Sequence, residues 1–204
     1  LLVGADTGRD GIHGASGLAS QTFEDDRELR TTVQVGNPFM EKVLIEACLE
    51  ALQFCPEGIA GMQDLGAAGL TSATVECVSM GGKGLLLDVA KVPRRESEMS
   101  AYDVMLSESQ ERMMMMVRPD YIDQVQGVFD KWDLVSSVIG EVTDDATVRI
   151  TDGDSLAANV PVAHLTDAPQ YRLTGIPSQE IAAARDMELS KLQLPKMTAA
   201  QALL

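Results

Sequence analysis

The sequence predicts an α+β fold in which a mixed β-sheet is covered by helices. Three observations support this class: an amphipathic helix pattern follows Pro38, four methionines at 113–116 form an apolar run of strand length, and Asp152-Gly153-Asp154 separates two β-type runs. Along the chain, the patterns come in the order strand, helix, strand, helix, strand, strand, helix, strand, hairpin. This order favours helices packed on a sheet of mixed strand direction.

The composition is that of an ordinary globular protein, with 45% hydrophobic and 23% charged residues in a chain of 204. A net charge of -15 argues against nucleic acid and against membrane surfaces as partners, because both attract basic proteins. No apolar run approaches the ~20 residues that span a bilayer, and no signal-peptide pattern opens the chain. We therefore expect a cytoplasmic location.

The cysteines Cys48, Cys55 and Cys77 show no CxxC spacing, so we interpret them as core thiols rather than as a disulfide framework or a zinc site. The chain begins with Leu1, followed directly by an apolar and then a glycine-rich stretch. This beginning is typical of a piece cut from a longer protein.

A glycine-rich segment at residues 4–20 lacks the order of a Walker or dinucleotide-binding motif. Its His13 could act as a base or contact a phosphate, but a structural hydrogen-bonding role is favoured for a lone histidine among glycines.

A short β-type run at 31–35 ends in Gly36-Asn37-Pro38, which predicts a helix capped by Asn37 with Pro38 at its first position. The inward face of this helix is expected to carry Leu44, Ala47, Cys48 and Ala51. The amide of Gln34, just before it, could donate to a ligand or bond the backbone, and the two alternatives weigh evenly.

The stretch 61–70 joins a strand to a helix expected over 67–79, with Asp64 at the junction and glycines at 66 and 69. Small residues let the backbone approach a ligand, and helix amides attract anions. By itself, however, the pattern favours Asp64 as a residue near the helix cap over Asp64 as a ligand-binding residue.

The second half of the chain continues with a strand at 85–89, a capping box from Ser100 to Asp103, a helix at 120–132 and a strand at 135–142. A polar run at 106–112 leads into the methionine strand, where side chains can converge on a cleft. The hairpin covers 147–160. We place one domain at 1–165 and a linker or arm at 166–204, with one short helix near 179–192.

Four strings then resemble one family closely. They are TGRDGIHGAS at 7–16, VQVGNPF at 33–39, QDLGAAGLTS at 63–72 and MLSESQERM at 105–113. In this order they resemble the large, synthetase subunit of phosphoribosylformylglycinamidine synthases, over roughly residues 1–170. The resemblance implies the C-terminal-domain fold of the aminoimidazole ribonucleotide synthetase-like enzymes, and the first of two such C-type domains in the long chain.

The resemblance also implies an activity. The family's ligase uses ATP to activate the amide of formylglycinamide ribonucleotide, and ammonia from glutamine then gives the amidine. By the matching strings, Asp64 would be a ligand of Mg²⁺, while Gln34, Glu108, Ser109 and Gln110 would bind the ribonucleotide. Main ATP contacts and the catalytic histidine belong to N-type domains, so this chain alone would be inactive, and His13 is not that base.

The partners implied are flanking N-type domains and a glutaminase subunit or domain. Two alternatives stay open: a domain of another ATP-dependent synthetase or kinase of the same superfamily, or a purely structural or interaction module.

Overall fold

In the computed structural model, the described residues are 1–12, 35–167, 171–176, 178–185, 188, 191, 197–198 and 201. The chain forms two compact units, Leu1–Ala168 and Pro169–Leu204. Strands β1 to β8 are, in order, Leu2–Gly4, Ile59–Asp64, Gly84–Asp88, Arg112–Val117, Ser136–Ser137, Gly140–Thr143, Thr147–Asp152 and Ser155–Pro161. Helices α1 to α6 are Pro38–Phe54, Gly69–Ser79, Ala101–Leu106, Ile122–Lys131, Val162–Thr166 and Gln179–Arg185.

The predicted α+β class is confirmed, but the strands divide between two four-stranded sheets instead of forming one. The first sheet has the order β2-β4-β1-β5 with antiparallel neighbours throughout. The second has the order β6-β3-β7-β8, in which β3 and β7 are parallel and the other pairs antiparallel.

The methionine strand explains how the layers stack. Successive side chains of a strand point to opposite faces, and Met114 and Met115 enter two different apolar clusters. Met114 packs in the cluster that includes α2 and the second sheet, whereas Met115 packs with buried residues of α1 and α4. Strand β4 is therefore covered on both faces, which is why its sequence is a continuous apolar run rather than an alternating one.

Helix α1 follows the prediction. Asn37 accepts a hydrogen bond from the backbone N–H of Met40 at 3.1 Å, and Pro38 occupies the first turn. The expected inward residues Leu44, Ala47, Cys48 and Ala51 are all buried. Cys55 is buried as well and Cys77 half-buried, in agreement with a role as core thiols.

One predicted strand, 135–142, is wrong as a single element. Its residues form β5 in the first sheet and β6 in the second. A Cβ on Gly140 would lie 2.3 Å from the carbonyl oxygen of Leu86, so the backbones of β6 and β3 approach too closely there for any side chain. Ile139, 2% exposed, anchors the crossing between the sheets.

Several boundaries differ by a few residues from the predicted ones. The strand expected at 85–89 is β3, and Val89 already belongs to a 3-10 turn capped by Asp88. The helix expected at 120–132 is α4, preceded by a 3-10 turn, Pro119–Tyr121. The β-type run at 31–35 falls mostly outside the described residues. Within the described ranges, no helix has both the length and the apolar character needed to cross a membrane.

Candidate functional site

Asp64 is the last residue of β2, and its side chain is exposed. The helix α2 begins only at Gly69, and its N-cap is Ala68, whose own side chain makes no capping hydrogen bond. The alternative that Asp64 serves this helix as a cap is therefore wrong. Its carboxylate accepts one hydrogen bond from the side-chain amide of Gln63, at 3.3 Å.

Asp64 and Gln110 line one cavity of about 270 Å³, although they come from different segments. Its apolar wall comes from α1 and β2, and its acidic residues are Glu41, Asp64 and Glu111. The volume lies near the lower end of ligand pockets, ~300 Å³, so this cavity would hold part of a nucleotide-sized ligand. We call it the Asp64 cavity.

The polar run 106–112, which leads into β4, is largely buried. Ser107, Ser109 and Arg112 are all at most 3% exposed. The Ser107 hydroxyl donates to the carbonyl oxygen of Gly8 at 2.6 Å, and the Ser109 hydroxyl accepts from the N–H of Gly8 at 2.9 Å. Two neighbouring segments, 7–10 and 107–110, are thus held together by buried hydroxyl groups, each of which has a partner as burial demands.

Asp10 completes this polar cluster. Its carboxylate accepts hydrogen bonds from the Ser109 hydroxyl and from Nη2 of Arg95, the latter at 2.9 and 3.0 Å to its two oxygens. Its backbone oxygen accepts from the N–H of Glu108 at 2.7 Å. The sequence reasoning missed Asp10, although it lies in a matched string, because its interest depends on which charge it meets in the fold.

Glu108 connects the polar cluster to the loop that follows Asp64. Its carboxylate accepts a hydrogen bond from the N–H of Ala68 at 3.1 Å, so a side chain distant in sequence caps the start of α2. Ala68 itself has φ 60°, a left-handed conformation that costs an alanine ~1–2 kcal/mol. The contact from Glu108 helps to hold this strained loop in place.

Gln110 is half-buried, and its side-chain amide donates to the backbone oxygen of Glu108 at 2.9 Å. This hydrogen bond orients the side chain at the wall of the Asp64 cavity. Of the five predicted site residues, the structure therefore brings Asp64 and Gln110 to one cavity, with Glu108 bound to the loop between Asp64 and α2. Gln34 and His13 lie outside the described residues.

Arg112 is the second residue that the sequence reasoning missed. Burial lowers the pKa of its guanidinium to about 10, with Arg95 contributing and Asp10 opposing the change, so it stays protonated at neutral pH. An arginine directly before four methionines was a possible signal, since a charge at the entrance of a core strand needs internal partners.

The described residues do not by themselves form a complete metal site. They contain no group of three or more His, Cys, Asp or Glu side chains placed to hold a metal ion. Mg²⁺ commonly takes one or two protein carboxylates and keeps several waters. The exposed carboxylate of Asp64, beside the small residues Gly66 and Ala67, fits the part of a single ligand.

Comparison with known proteins gives one family. Residues 1–153 match the family described as AIR synthase related protein, C-terminal domain. The chain is 55% identical over 172 residues to the phosphoribosylformylglycinamidine synthase subunit PurL of Thermomicrobium roseum, covering 84% of this chain and 23% of that relative.

Solved structures of Thermotoga maritima PurL agree with this match. The FGAR complex aligns with TM-score 0.73 and 39% identity, over 86% of this chain and 30% of that one. The ATP complex aligns with TM-score 0.71 and 34% identity, over 87% and 27%. The chain thus spans less than a third of the length of these relatives.

Proposed function

Since the chain belongs to the family of AIR synthase related proteins, as a C-terminal domain, we propose that it serves a phosphoribosylformylglycinamidine synthase. In this role it binds part of formylglycinamide ribonucleotide and contributes a ligand for Mg²⁺. The complete ligase uses ATP and glutamine-derived ammonia to form the amidine. Support comes from the PurL relative of Thermomicrobium roseum and from the PurL structures of Thermotoga maritima, which carry FGAR or ATP.

The observation that carries the proposal is the meeting of Asp64 and Gln110 at one cavity. Gln110 offers an amide that can both donate and accept hydrogen bonds, which suits the amide and ribose groups of the substrate. Asp64 offers a hard carboxylate oxygen for Mg²⁺, which when bound neutralises charge on phosphate oxygens. Three carboxylates against the single guanidinium of Arg112 in the cavity lining make an anionic ligand unfavourable without such a cation.

We assign different parts to the remaining predicted residues. Glu108 contacts the ribonucleotide and also holds the loop at Ala68. Ser109 is 2% exposed, its hydroxyl contacts Asp10 and its N–H donates to the Ser107 hydroxyl, so its part in binding falls to the second lone pair of its carbonyl oxygen, which also accepts from Nε of Arg112. Gln34 is assigned a contact with the substrate only because it lies in the matching string at 33–39.

ATP is bound mainly by N-type domains, which also supply the catalytic histidine. A glutaminase subunit or domain provides ammonia in the cytoplasm. The functional division remains a domain at 1–165 and an arm toward a following N-type domain at 166–204. On this proposal the 204-residue chain folds but forms no amidine, and amidine synthesis by the chain alone would contradict it.

The test uses a chimera in which the matching segment of the Thermomicrobium PurL subunit is replaced by this chain's sequence. Asp64→Asn should lower turnover at least about tenfold, equivalent to about 1.4 kcal/mol of transition-state stabilisation, and raise the Mg²⁺ concentration for half-maximal rate. Asp154→Asn is the control, since Asp154 is an exposed aspartate in the β7–β8 turn.

Unchanged turnover and Mg²⁺ dependence in the Asp64→Asn chimera would refute the assigned role. Substrate identity is tested separately by thermal unfolding with a panel of ribonucleotides, because a bound ligand raises the melting temperature. Protection by a different ribonucleotide would favour another synthetase or kinase of the superfamily. Absence of any protection would favour a structural module.

A further inference from the structure

We propose that Arg112 is a positioning residue, which shapes the 107–110 segment so that Gln110 faces the Asp64 cavity and Glu108 reaches the loop at Ala68. The inference rests on the proposed function, because it concerns how the same site binds formylglycinamide ribonucleotide. Arg112 itself acts through the backbone of this segment and is not assigned a contact with substrate.

The guanidinium of Arg112 binds the segment at two points. Nε donates to the carbonyl oxygen of Ser109 at 2.8 Å, and Nη2 donates to the carbonyl oxygen of Ser107 at 2.6 Å. Nη1 donates to the Thr7 hydroxyl at 3.0 Å, which ties the same group to the N-terminal segment. A planar guanidinium with fixed donor directions sets the orientation of both carbonyl groups.

The charge of Arg112 is unusual because of where it lies. The side chain is 3% exposed and forms no ion pair within the described part of the chain; the Asp10 carboxylate pairs with Nη2 of Arg95 at 2.9 Å instead. Within the described ranges, the hydrogen-bond acceptors of Arg112 are two carbonyl oxygens and one hydroxyl oxygen, all of them neutral. An apolar side chain would avoid the cost of burying a cation, so we attribute the arginine here to the geometry it imposes on the segment.

Glu111, the residue before Arg112, is also held in place by the N-terminal segment at Gly4 and Ala5. Glu111 has φ 55°, and its carbonyl oxygen accepts from the N–H of Ala5 at 2.9 Å. A Cβ on Gly4 would lie 2.2 Å from that same oxygen. The backbone around β1 therefore packs directly against Glu111, the residue with the left-handed conformation. Gln110 lies between Glu111 and Ser109, and both of these neighbours are held in place, Glu111 by Ala5 and Ser109 by Arg112.

The test compares Arg112→Lys with Arg94→Lys in the chimera. Lysine keeps the positive charge but lacks the planar guanidinium, with its several donors in fixed directions. Arg94 is a matched control, because its guanidinium also donates to two carbonyl oxygens, of Met99 at 2.9 Å and Val89 at 2.8 Å, away from the Asp64 cavity. We expect Arg112→Lys to raise KM for formylglycinamide ribonucleotide about tenfold, with KM for ATP within about twofold. Arg94→Lys should leave both values within about twofold.

A second measurement uses the 204-residue chain without any ligand. In Arg112→Lys, hydrogen exchange at the N–H of Glu108, which donates to Asp10, should accelerate at least about tenfold, while the N–H of Met115 in β4 stays protected. A general loss of stability would accelerate both. If Arg112→Lys does not fold, Thr7→Val removes the hydroxyl that accepts from Nη1 of Arg112 and should raise the same KM about threefold.

The outcomes separate the two proposals. A chimera with no substitution that fails to convert formylglycinamide ribonucleotide contradicts the proposed function. An active chimera whose KM for this substrate is unchanged by Arg112→Lys, or equally raised by Arg94→Lys, overturns the positioning role alone. In the non-folding case, an unchanged KM in Thr7→Val overturns it.

Discussion

Gly69 lies where the Asp64 loop meets the 107–110 segment, and replacing it by alanine should be severely destabilising. Its backbone has φ +49°, and a Cβ there would lie 1.9 Å from the carbonyl oxygen of Ser107 and 2.9 Å from its carbon. Both neighbours are backbone atoms, so no rotamer change can relieve the contact. Either α2 or the 107–110 segment must move.

The expected loss in free energy of unfolding has two parts, backbone strain and a steric clash. A non-glycine residue in the left-handed region costs ~1–2 kcal/mol. Ordinary van der Waals contact begins at 3.4 Å, so the Cβ and the Ser107 oxygen must separate by about 1.5 Å within a packed and poorly compressible interior. Adding overpacking of ~1–3 kcal/mol, we expect Gly69→Ala to lower the free energy of unfolding by roughly 3 kcal/mol.

Gly82→Ala isolates the backbone-strain part of this loss. Gly82 has φ +62°, and nothing lies within 4 Å of its would-be Cβ. The backbone strain is the same and the steric clash is absent, so the expected loss is ~1 kcal/mol. Urea unfolding of the 204-residue chain measures the loss of stability in each of the two variants. The expected difference of roughly 2 kcal/mol between them should also appear in thermal unfolding, as a melting temperature that is ~4–8 °C lower for Gly69→Ala than for Gly82→Ala. If Gly69→Ala proves no more destabilising than Gly82→Ala, the two segments are not interlocked as described.

Two further predictions concern a helix cap and a buried thiol. Ser100 and Asp103 form a capping box at α3, so Ser100→Ala should cost ~1 kcal/mol in urea unfolding. The control is Ser79→Ala, which removes only a solvent-exposed hydrogen bond from a half-buried serine to the carbonyl oxygen of Glu76 and should cost less than ~0.5 kcal/mol; equal losses would contradict the cap's contribution. Burial, followed by the charge of Glu41, raises the pKa of the Cys48 thiol to about 11. The unfolded chain therefore loses this proton first, and stability should fall as pH rises from about 9 to 11. In a urea series over that range, Cys48→Ala should show a shallower fall, and an identical slope would exclude this cause.

Much of the fold was predictable because its signals are local. Asn37-Pro38 and the apolar spacing behind them define the start and the buried face of α1, and the Asp152-Gly153 turn defines the β7–β8 hairpin. Each signal requires only neighbours a few residues away. The run 113–116 also predicted a core strand correctly, since methionine in an uninterrupted apolar stretch is typical of burial on both faces.

The failures involve contacts between distant segments. Residues 135–142 have the periodicity of one strand, yet Gly140 must lie against the backbone of Leu86, and the chain changes sheets there. Nothing within the eight residues encodes the position of β3. Asp10 and Arg112 were missed for the same reason. Asp10 matters because its carboxylate accepts from the Ser109 hydroxyl, and Arg112 matters because its guanidinium donates to carbonyl oxygens of the 107–110 segment.

By itself, the sequence determined the α+β class, the helix caps, the hairpin and, through four ordered strings, the family. It also predicted Asp64 and Gln110 as site residues: the local pattern favoured Asp64 near a helix cap, and the four strings instead implied a ligand of Mg²⁺. Only the tertiary structure excluded the cap, because it places the start of α2 at Gly69 and supplies its capping acceptor from Glu108. The physical reason is that capping and periodicity act over a few residues, whereas a cavity requires strand pairing and buried hydrogen bonds that bring distant segments together.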